Sequence, residues 1–160
     1  LTLEGKMAYL NKIQVQAGVT LQQSHYSKPH IWNKEAPAVK KMMRTPNTYG
    51  YFTATYTPIK PLSIALSGTY TGSMLVPHEP VPGFLENPIT VNTKDFFDIG
   101  LKAAYDFKLY KSMNLQVNVG VQNIFNAYQN DFDKGADRDS GYIYGPSLPR
   151  SFFAGVKISY

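Results

Sequence analysis

The sequence predicts an all-β fold: an antiparallel transmembrane β-barrel segment of about seven meandering strands. Three observations predict it. Apolar and polar residues alternate over successive segments of about nine to eleven residues, the length at which a tilted strand crosses a bilayer. The connections between the segments are alternately short and long, as in outer-membrane barrels. Finally, no charged residue occupies the apolar side of any segment.

Each predicted strand has an apolar row of residues that faces a polar row. The strands occupy, approximately, residues 1-9, 12-26, 47-57, 61-74, 94-107, 112-125 and 146-160. The first three apolar rows are Leu1, Leu3, Met7 and Tyr9; Ile13, Val15, Ala17, Val19 and Leu21; and Phe52, Ala54 and Tyr56. The next three are Leu62, Ile64, Leu66, Gly68 and Tyr70; Phe97, Ile99, Leu101, Ala103 and Tyr105; and Leu115, Val117, Val119 and Val121. The last is Phe152, Ala154, Val156, Ile158 and Tyr160, and it ends on an aromatic residue.

The connections predict two different ends of the sheet. Tight turns are expected at 9–12, 57–61 and 107–112, and long links at 27–46, 75–93 and 126–145. Each long link carries about twenty residues with no clear strand pattern. A compact soluble domain rarely contains three structureless loops of that length. We therefore expect short turns on one rim and long, irregular loops on the other.

Aromatic residues fall where a membrane interface is expected. Near the short turns the apolar rows end on Tyr9, Tyr56, Tyr105 and Tyr160, and Tyr70 and Phe125 lie near the opposite rim. Such residues form girdles at both interfaces of a membrane barrel. The polar rows are rich in amides, which the core of a soluble barrel would not tolerate. The alternative is a soluble antiparallel sandwich with one wet face and one core face.

Composition excludes several classes of protein. The chain has 160 residues, a formal net charge of +5 and no cysteine, so a disulfide, a thiol nucleophile and a cysteine metal site are excluded. No apolar run reaches the roughly 18–20 residues of a membrane-spanning helix. The mean hydropathy of -0.27 is compatible with a membrane barrel, because lipid-facing and lumen-facing residues alternate. No basic stripe follows the strands, so a nucleic-acid partner is not expected.

Seven strands do not close a barrel by themselves. Bacterial single-chain barrels have an even number of strands, at least about eight, and a bilayer does not tolerate an open sheet edge. One explanation is an eighth strand hidden in a long loop. We favour another, that the chain is the C-terminal part of one larger barrel domain.

Three stretches carry a family resemblance: "LSGTYTGSM", "NVGVQNIFNAY" and "GYIYGPSLPRSFFAGVKISY". They resemble the closing strands of TonB-dependent outer-membrane receptors, in which an Asn-aromatic stretch such as Asn123–Asn126 ends the penultimate strand. A long loop and a Gly-Pro-x-x-Pro-Arg approach then lead into a last strand that ends on an aromatic residue. The resemblance covers essentially the whole chain and matches roughly the last third of the family's barrel.

The resemblance implies a barrel of roughly 22 strands with a plugged lumen, in the outer membrane of a Gram-negative bacterium. Such a receptor imports a scarce nutrient of the iron-siderophore, haem or cobalamin class. The implied partners are outer-membrane lipid and lipopolysaccharide, the rest of the barrel and its plug, and TonB. Plug and TonB-contact segment are absent from this chain. The assembly machinery is expected to read the last strand, through Phe152, Ala154, Val156, Ile158 and Tyr160.

The loops contain candidate sites but no catalytic motif. HExxH, GxSxG and a glycine-rich phosphate loop are all absent from the sequence, so an enzyme is not expected. The candidate ligand-binding residues are His25, Tyr26, His30, Trp32 and His78. They suit stacking on a flat ligand or ligation of haem iron; alternatively, they are parts of a solvated loop and of the girdle. The basic residues Lys28, Lys34, Lys40, Lys41 and Arg44 suit an anionic chelate or lipopolysaccharide phosphates.

The last long loop contains a candidate calcium site, the one cofactor considered. Asp131, Asp133, Asp137 and Asp139 have a spacing that suits calcium, which requires several carboxylate oxygens. The glutamate expected at the twelfth position is missing, and pairing with Lys134 and Arg138 is the alternative. On the polar rows, Asp98, Lys102, Asp106 and Lys157 would contact a plug or pair with one another.

Two other functions remain open. A passive porin has the same alternation without a plug, and the upstream sequence would distinguish it. A soluble β-sandwich ligand-binding module would be monodisperse in buffer without detergent.

Overall fold

A computed structural model describes residues 1–110 and 112–160, which form strands, turns and loops and contain no helix. The eleven strands are β1 (Thr2–Tyr9), β2 (Ile13–Leu21), β3 (His25–His30), β4 (Val39–Lys41), β5 (Thr48–Ile59), β6 (Leu62–Thr71), β7 (Leu75–His78), β8 (Ile89–Asn92), β9 (Phe96–Tyr110), β10 (Met113–Gln122) and β11 (Ser151–Ser159). Seven of them form one antiparallel sheet in the order β1-β2-β5-β6-β9-β10-β11. The predicted all-β class and the seven-stranded meander are therefore confirmed.

The strand ends differ from the prediction where the backbone cannot extend. The last strand begins at Ser151 instead of 146, because Pro146 and Pro149 supply no N–H to a ladder. The penultimate strand ends at Gln122, because Asn123 has a φ of 49° and starts a tight turn. In that turn the Asn126 N–H donates to the Asn123 carbonyl at 2.8 Å.

Short turns join the sheet strands at one end, hereafter the short-turn end. Between β1 and β2 the chain reverses at Leu10 and Asn11, with φ of 47° and 51°, the positive values that a type I′ hairpin turn requires. The third predicted short turn contains Lys111, which lies outside the described residues. All the long connections leave from the opposite end, hereafter the loop end.

The strand register gathers all seven apolar rows on one side of the sheet. Residues that are paired across a ladder share a face. One continuous row runs through Met7, Val15, Ala54, Leu66, Leu101, Val121 and Phe152. No other part of the described chain covers this apolar face, on which Leu3, Met7, Phe152 and Val156 are between 60% and 80% exposed. The polar face on the other side carries the threonines, serines and amides.

The buried core lies at the loop end and consists mostly of residues in the long loops, joined by Phe96 at the start of β9. Val76, Phe96, Tyr142 and Tyr144 form its centre, and Met74, Val91 and Ala127 pack against them. The prediction that the loops lack strands is wrong for two of them. The hairpins β3–β4 and β7–β8 form there. β8 contains a run of β-branched residues, the residue types that favour strands, and its Val91 pairs with Val76 of β7. Between 126 and 145 the chain contains no strand.

Candidate ligand-binding site in the long loops

The three long loops are tied together by hydrogen bonds from the first loop to the last. The backbone N–H of Arg44 donates to the carbonyl of Leu75 at 2.7 Å. The Arg44 guanidinium donates to the carbonyls of Gly141 and of Ile143, the latter at 3.1 Å. The backbone N–H of Glu79 donates to Asp139 Oδ2 at 2.9 Å. Arg44, predicted to attract an anionic ligand, is therefore occupied with structural contacts.

His78 lies in a buried hydrogen-bonded pair with Asp133 and not at an open binding surface. Its Nε2 is 2.9 Å from Asp133 Oδ2, and the two side chains are 7% and 3% exposed. The imidazole stacks on the Tyr142 ring, with a centroid distance of 3.8 Å and an interplanar angle of 3°. The same Asp133 oxygen accepts a hydrogen bond from the Asp139 N–H at 3.1 Å. These contacts join the end of β7 to the last loop.

Asp131 anchors the two tyrosines of the loop core. The hydroxyls of Tyr142 and Tyr144 donate to its carboxylate, that of Tyr142 at 2.9 Å. Gln129 binds the backbone of both tyrosines. Its amide N–H donates to the Tyr142 carbonyl at 3.1 Å, and its amide oxygen accepts from the Tyr144 N–H at 2.9 Å. Each buried polar group in this set therefore has a partner, as a stable interior requires.

The tyrosine contacts shift three pKa values. Partial burial would raise the pKa of Asp131, but hydrogen bonds from Tyr144 and Tyr142 hold that pKa below its ordinary value. Burial, together with the hydrogen bond to Asp131, raises the pKa of Tyr142 to about 12. The pKa of Tyr144 is raised by the same causes, burial first. A carboxylate that accepts hydrogen bonds from two phenol hydroxyls is stabilised in its ionised form.

The four aspartates of the calcium hypothesis do not form one site. Within residues 1–110 and 112–160, no three acidic or histidine side chains are arranged to hold a metal ion. Asp131 accepts hydrogen bonds from two tyrosine hydroxyls, and Asp133 is bonded to His78. Asp139 accepts hydrogen bonds from backbone N–H groups. Arg138 donates to the Gly135 carbonyl at 3.1 Å. The calcium site stays a prediction without geometric support, and the alternative pairing with Lys134 and Arg138 is not formed.

The candidates in the first loop are grouped on one hairpin. The rings of Tyr26 and His30 stack with a centroid distance of 4.6 Å and an angle of 28°. His25 pairs with Lys41 across β3 and β4. Trp32 follows β3, and its indole Nε1 is buried without a hydrogen-bond partner. No ring contact or hydrogen bond among the described residues joins this group to His78, so the five candidates do not form one site.

Two clefts that the sequence analysis missed lie on either side of Phe132. The first has a volume of about 410 Å³ and is walled by Tyr128, Phe132, Arg138, Ile143 and Leu148, among others. The second, of about 510 Å³, lies between the turn at 81–84 and the last loop, with Phe84 and Lys134 in its wall. Phe84 is 79% exposed. The sequence offered only the presence of Phe84 and Phe132 in loops rich in Gly, Pro and Asp, and that pattern does not show whether either ring is exposed.

The polar face of the sheet is partly covered by the last loop. Ser147 and Leu148 close a third cleft of about 210 Å³ against residues that include Thr69, Asp98 and Gln122. The expected pairing among Asp98, Lys102, Asp106 and Lys157 is not formed, since the described residues contain no ion pair between them. Asp106 instead accepts a hydrogen bond from Gln116 Nε2 at 2.8 Å.

The predicted girdle residues lie at the two ends of the apolar face. Tyr9, Ile13 and Tyr56 form one row at the short-turn end. Tyr105 lies two residues beyond the same row on β9, and Tyr160 follows β11, 99% exposed. Tyr70 pairs with Phe97 towards the loop end, where Phe125 is 65% exposed in the turn after β10. The last strand places Phe152, Ala154, Val156 and Ile158 on the apolar face.

The described residues include no helix that is long and apolar enough to cross a membrane. No family model, curated protein or solved structure matches the chain.

Proposed function

We propose that the chain is the C-terminal part of the β-barrel of a TonB-dependent outer-membrane receptor. The observation that carries the proposal is the apolar face, which spans all seven sheet strands, carries no charge and is covered by no other part of the described chain. In water, each Val, Leu, Ile, Phe or Met left exposed forfeits about 1.5–3 kcal/mol relative to burial. Lipid removes that cost, because hydrocarbon is the natural solvent of such a surface.

The two ends of the sheet differ from each other, and the difference supports one orientation in the membrane. Short turns and a row of tyrosines stand at one end, and long, folded loops stand at the other. In outer-membrane barrels the short turns are periplasmic and the long loops extracellular. In the proposed orientation the loop core and its clefts face the outside of the cell, where a nutrient would be captured.

The two edge strands support a larger barrel. Within the described residues β1 pairs only with β2, and β11 pairs only with β10. Their outer edges present unpaired N–H and C=O groups, which a bilayer does not tolerate. The rest of the barrel would pair with both edges, the plug would contact the polar face, and TonB would act through the N-terminal part. The barrel assembly machinery would bind β11 before closure.

The ligand would be a scarce nutrient of the iron-siderophore, haem or cobalamin class, held in the long loops. The clefts beside Phe132 offer aromatic walls with amide and carboxylate groups close by. The stacked pair of Tyr26 and His30 adds a second aromatic surface on β3. Lys28, Lys34 and Lys40 are exposed near it, so an anionic chelate, or lipopolysaccharide phosphate, would be attracted to this loop.

Charge insertion on the two faces of one strand tests the proposal. Leu66 lies on the apolar face of β6, midway between Leu62 and Tyr70, and its neighbour Ser67 lies on the polar face. In the full-length protein, Leu66→Lys should block assembly into the outer membrane, because a lysine at the lipid face costs about 2–4 kcal/mol at mid-bilayer. Ser67→Lys should assemble like wild type. Equal assembly of both variants, measured by membrane fractionation and heat-modifiable migration, would contradict the placement.

The upstream reading frame distinguishes the receptor from a porin. A plug domain before the barrel is expected for the receptor. A barrel without a plug would identify a passive porin, and the transport part of the proposal would be wrong.

A further inference from the structure

The short-turn end of the sheet concentrates positive charge. Lys12 and Lys60 lie in or beside its turns, and Lys108 and Lys157 lie in the last rows of β9 and β11. Of the eleven acidic residues in the sequence, only Asp106 lies at this end. Elsewhere acidic and basic residues nearly balance, so the formal charge of +5 arises mainly here.

A cleft opens at this end beside β9. β6 begins at Leu62, opposite Tyr105, while β9 continues to Tyr110. The overhanging part of β9 and the turn at 60–61 enclose about 430 Å³. The walls are Lys60, Pro61, Tyr105, Asp106, Phe107, Lys108 and Asn114.

The cleft combines two cations with an apolar wall. The rings of Tyr105 and Phe107 lie 4.6 Å apart at 48°, and Phe107 and Leu109 are 44% and 52% exposed. The acid in the wall, Asp106, already accepts a hydrogen bond from Gln116. Lysine ammonium groups at such a boundary extend towards the polar layer while their stems stay on apolar surface.

We propose that this cleft binds the phosphate headgroup of an anionic phospholipid, in the leaflet at the short-turn end. The inference rests on the proposed membrane placement. Lys60 and Lys108 bind the phosphate, and Tyr105, Phe107 and Leu109 contact the glycerol and the first part of the acyl chains. A lipid fits better than a nucleic acid or a free anion, because Tyr105 and Phe107, which line the same cleft as the two lysines, lie on the exposed apolar face.

Lipid competition in neutral detergent tests the site. The full-length protein is titrated with phosphatidylglycerol or with phosphatidylcholine of identical chains, and bound lipid is counted by native mass spectrometry. Each lysine at an anionic surface contributes about a fivefold preference for the anionic lipid. Wild type should therefore prefer phosphatidylglycerol, and the preference of K60Q/K108Q should be about 25-fold weaker than that of wild type. The control K6Q/K94Q removes the same charge from β1 and from the link before β9, at exposed positions outside the cleft, and should leave the preference unchanged. A further arm adds glycerol phosphate, which should not displace the lipid.

Each contrary result has a distinct meaning. An unchanged preference in K60Q/K108Q, or an equal loss in K6Q/K94Q, would overturn the lipid site but leave the receptor proposal intact. Displacement by equimolar glycerol phosphate would identify a free phosphate ester as the ligand and overturn the lipid assignment. A full-length protein that fractionates as soluble would overturn both proposals.

Discussion

His78 and Asp133 form a buried hydrogen-bonded pair across two long loops, with Nε2 and Oδ2 2.9 Å apart. Tyr142 stacks flat on the imidazole, and the Asp139 N–H donates to the same carboxylate oxygen. The pair therefore fixes the last loop onto β7. A residue that looked available for ligand binding acts instead as a connection between loops.

Replacing His78 should loosen the last loop without disturbing the sheet. His78→Ala leaves the buried Asp133 carboxylate without its side-chain partner, which costs about 1–3 kcal/mol. We expect faster amide hydrogen exchange over residues 129–144 and unchanged exchange in β9 and β10. His25→Ala is the matched control, since His25 is exposed. Unchanged exchange in His78→Ala would show that the pair contributes nothing to loop order.

Acid should weaken the loop core through Asp131. Burial alone would raise the pKa of Asp131. Hydrogen bonds from the Tyr144 and Tyr142 hydroxyls outweigh burial, so the pKa lies below the ordinary carboxyl value in the folded state. A lowered folded pKa means that this stabilisation is present above the ordinary value and disappears as the pH falls through the folded one. Limited proteolysis of the last loop should accelerate across that interval. Asp131→Asn should remove this pH dependence, whereas Asp137→Asn, at an exposed position, should keep it.

Asn123 should be the most sensitive position in the turn after β10. It is 1% exposed, has a φ of 49°, and binds the Ala127 and Leu148 carbonyls at 2.9 Å each. Alanine would lose these contacts and disfavour the left-handed backbone, so Asn123→Ala should cost at least about 1–3 kcal/mol. The measurement is the temperature at which heat-modifiable migration is lost. Asn92→Ala, at an exposed position in β8, should leave it unchanged.

The sheet could be predicted from sequence because its signal is local. A period of two repeats along each strand, and the register follows once apolar residues share a face. The loop core could not be predicted this way, since His78 and Asp133 are 55 residues apart and their contact has no periodicity. β7 and β8, with four residues each, are too short for alternation to stand out beside prolines.

Only part of the candidate site could be predicted from the sequence, because residue type does not show which side chains are already bonded. Histidines and aspartates were chosen for their chemistry, but burial and hydrogen bonding decide which remain free. Asp131 and His78 are occupied by partners, whereas Phe84 and Phe132 line clefts. A loop aromatic residue carries no sequence sign of whether its ring packs inside or forms an open wall.

Gly68 should resist substitution because an aromatic ring occupies the space above it. A Cβ built at Gly68 collides with the ring of Phe52, and no backbone atom is among its three nearest neighbours. Gly68→Ala should therefore cost about 1–3 kcal/mol through overpacking, and G68A/F52L should recover most of that loss. Gly5→Ala is a control in the same row of the sheet, where a Cβ meets nothing within 4 Å. Lowered thermal stability in G68A that F52L does not relieve would exclude the ring as the cause.

Phe132 should affect nutrient capture, because its ring forms a wall of both loop clefts. Stacking of a flat ligand on such a ring contributes about 0.5–1.5 kcal/mol, so Phe132→Ala should lower affinity by roughly two- to tenfold. The measurement is growth on a ferric siderophore, haem or cobalamin as the limiting nutrient, in cells that depend on the full-length protein. Phe125→Ala is the matched control, since Phe125 is 65% exposed at the rim of the apolar face and lines neither cleft. If Phe132→Ala supports wild-type growth on each nutrient at limiting concentration, ligand capture does not use these clefts and the first-loop pair of Tyr26 and His30 becomes the next site to test.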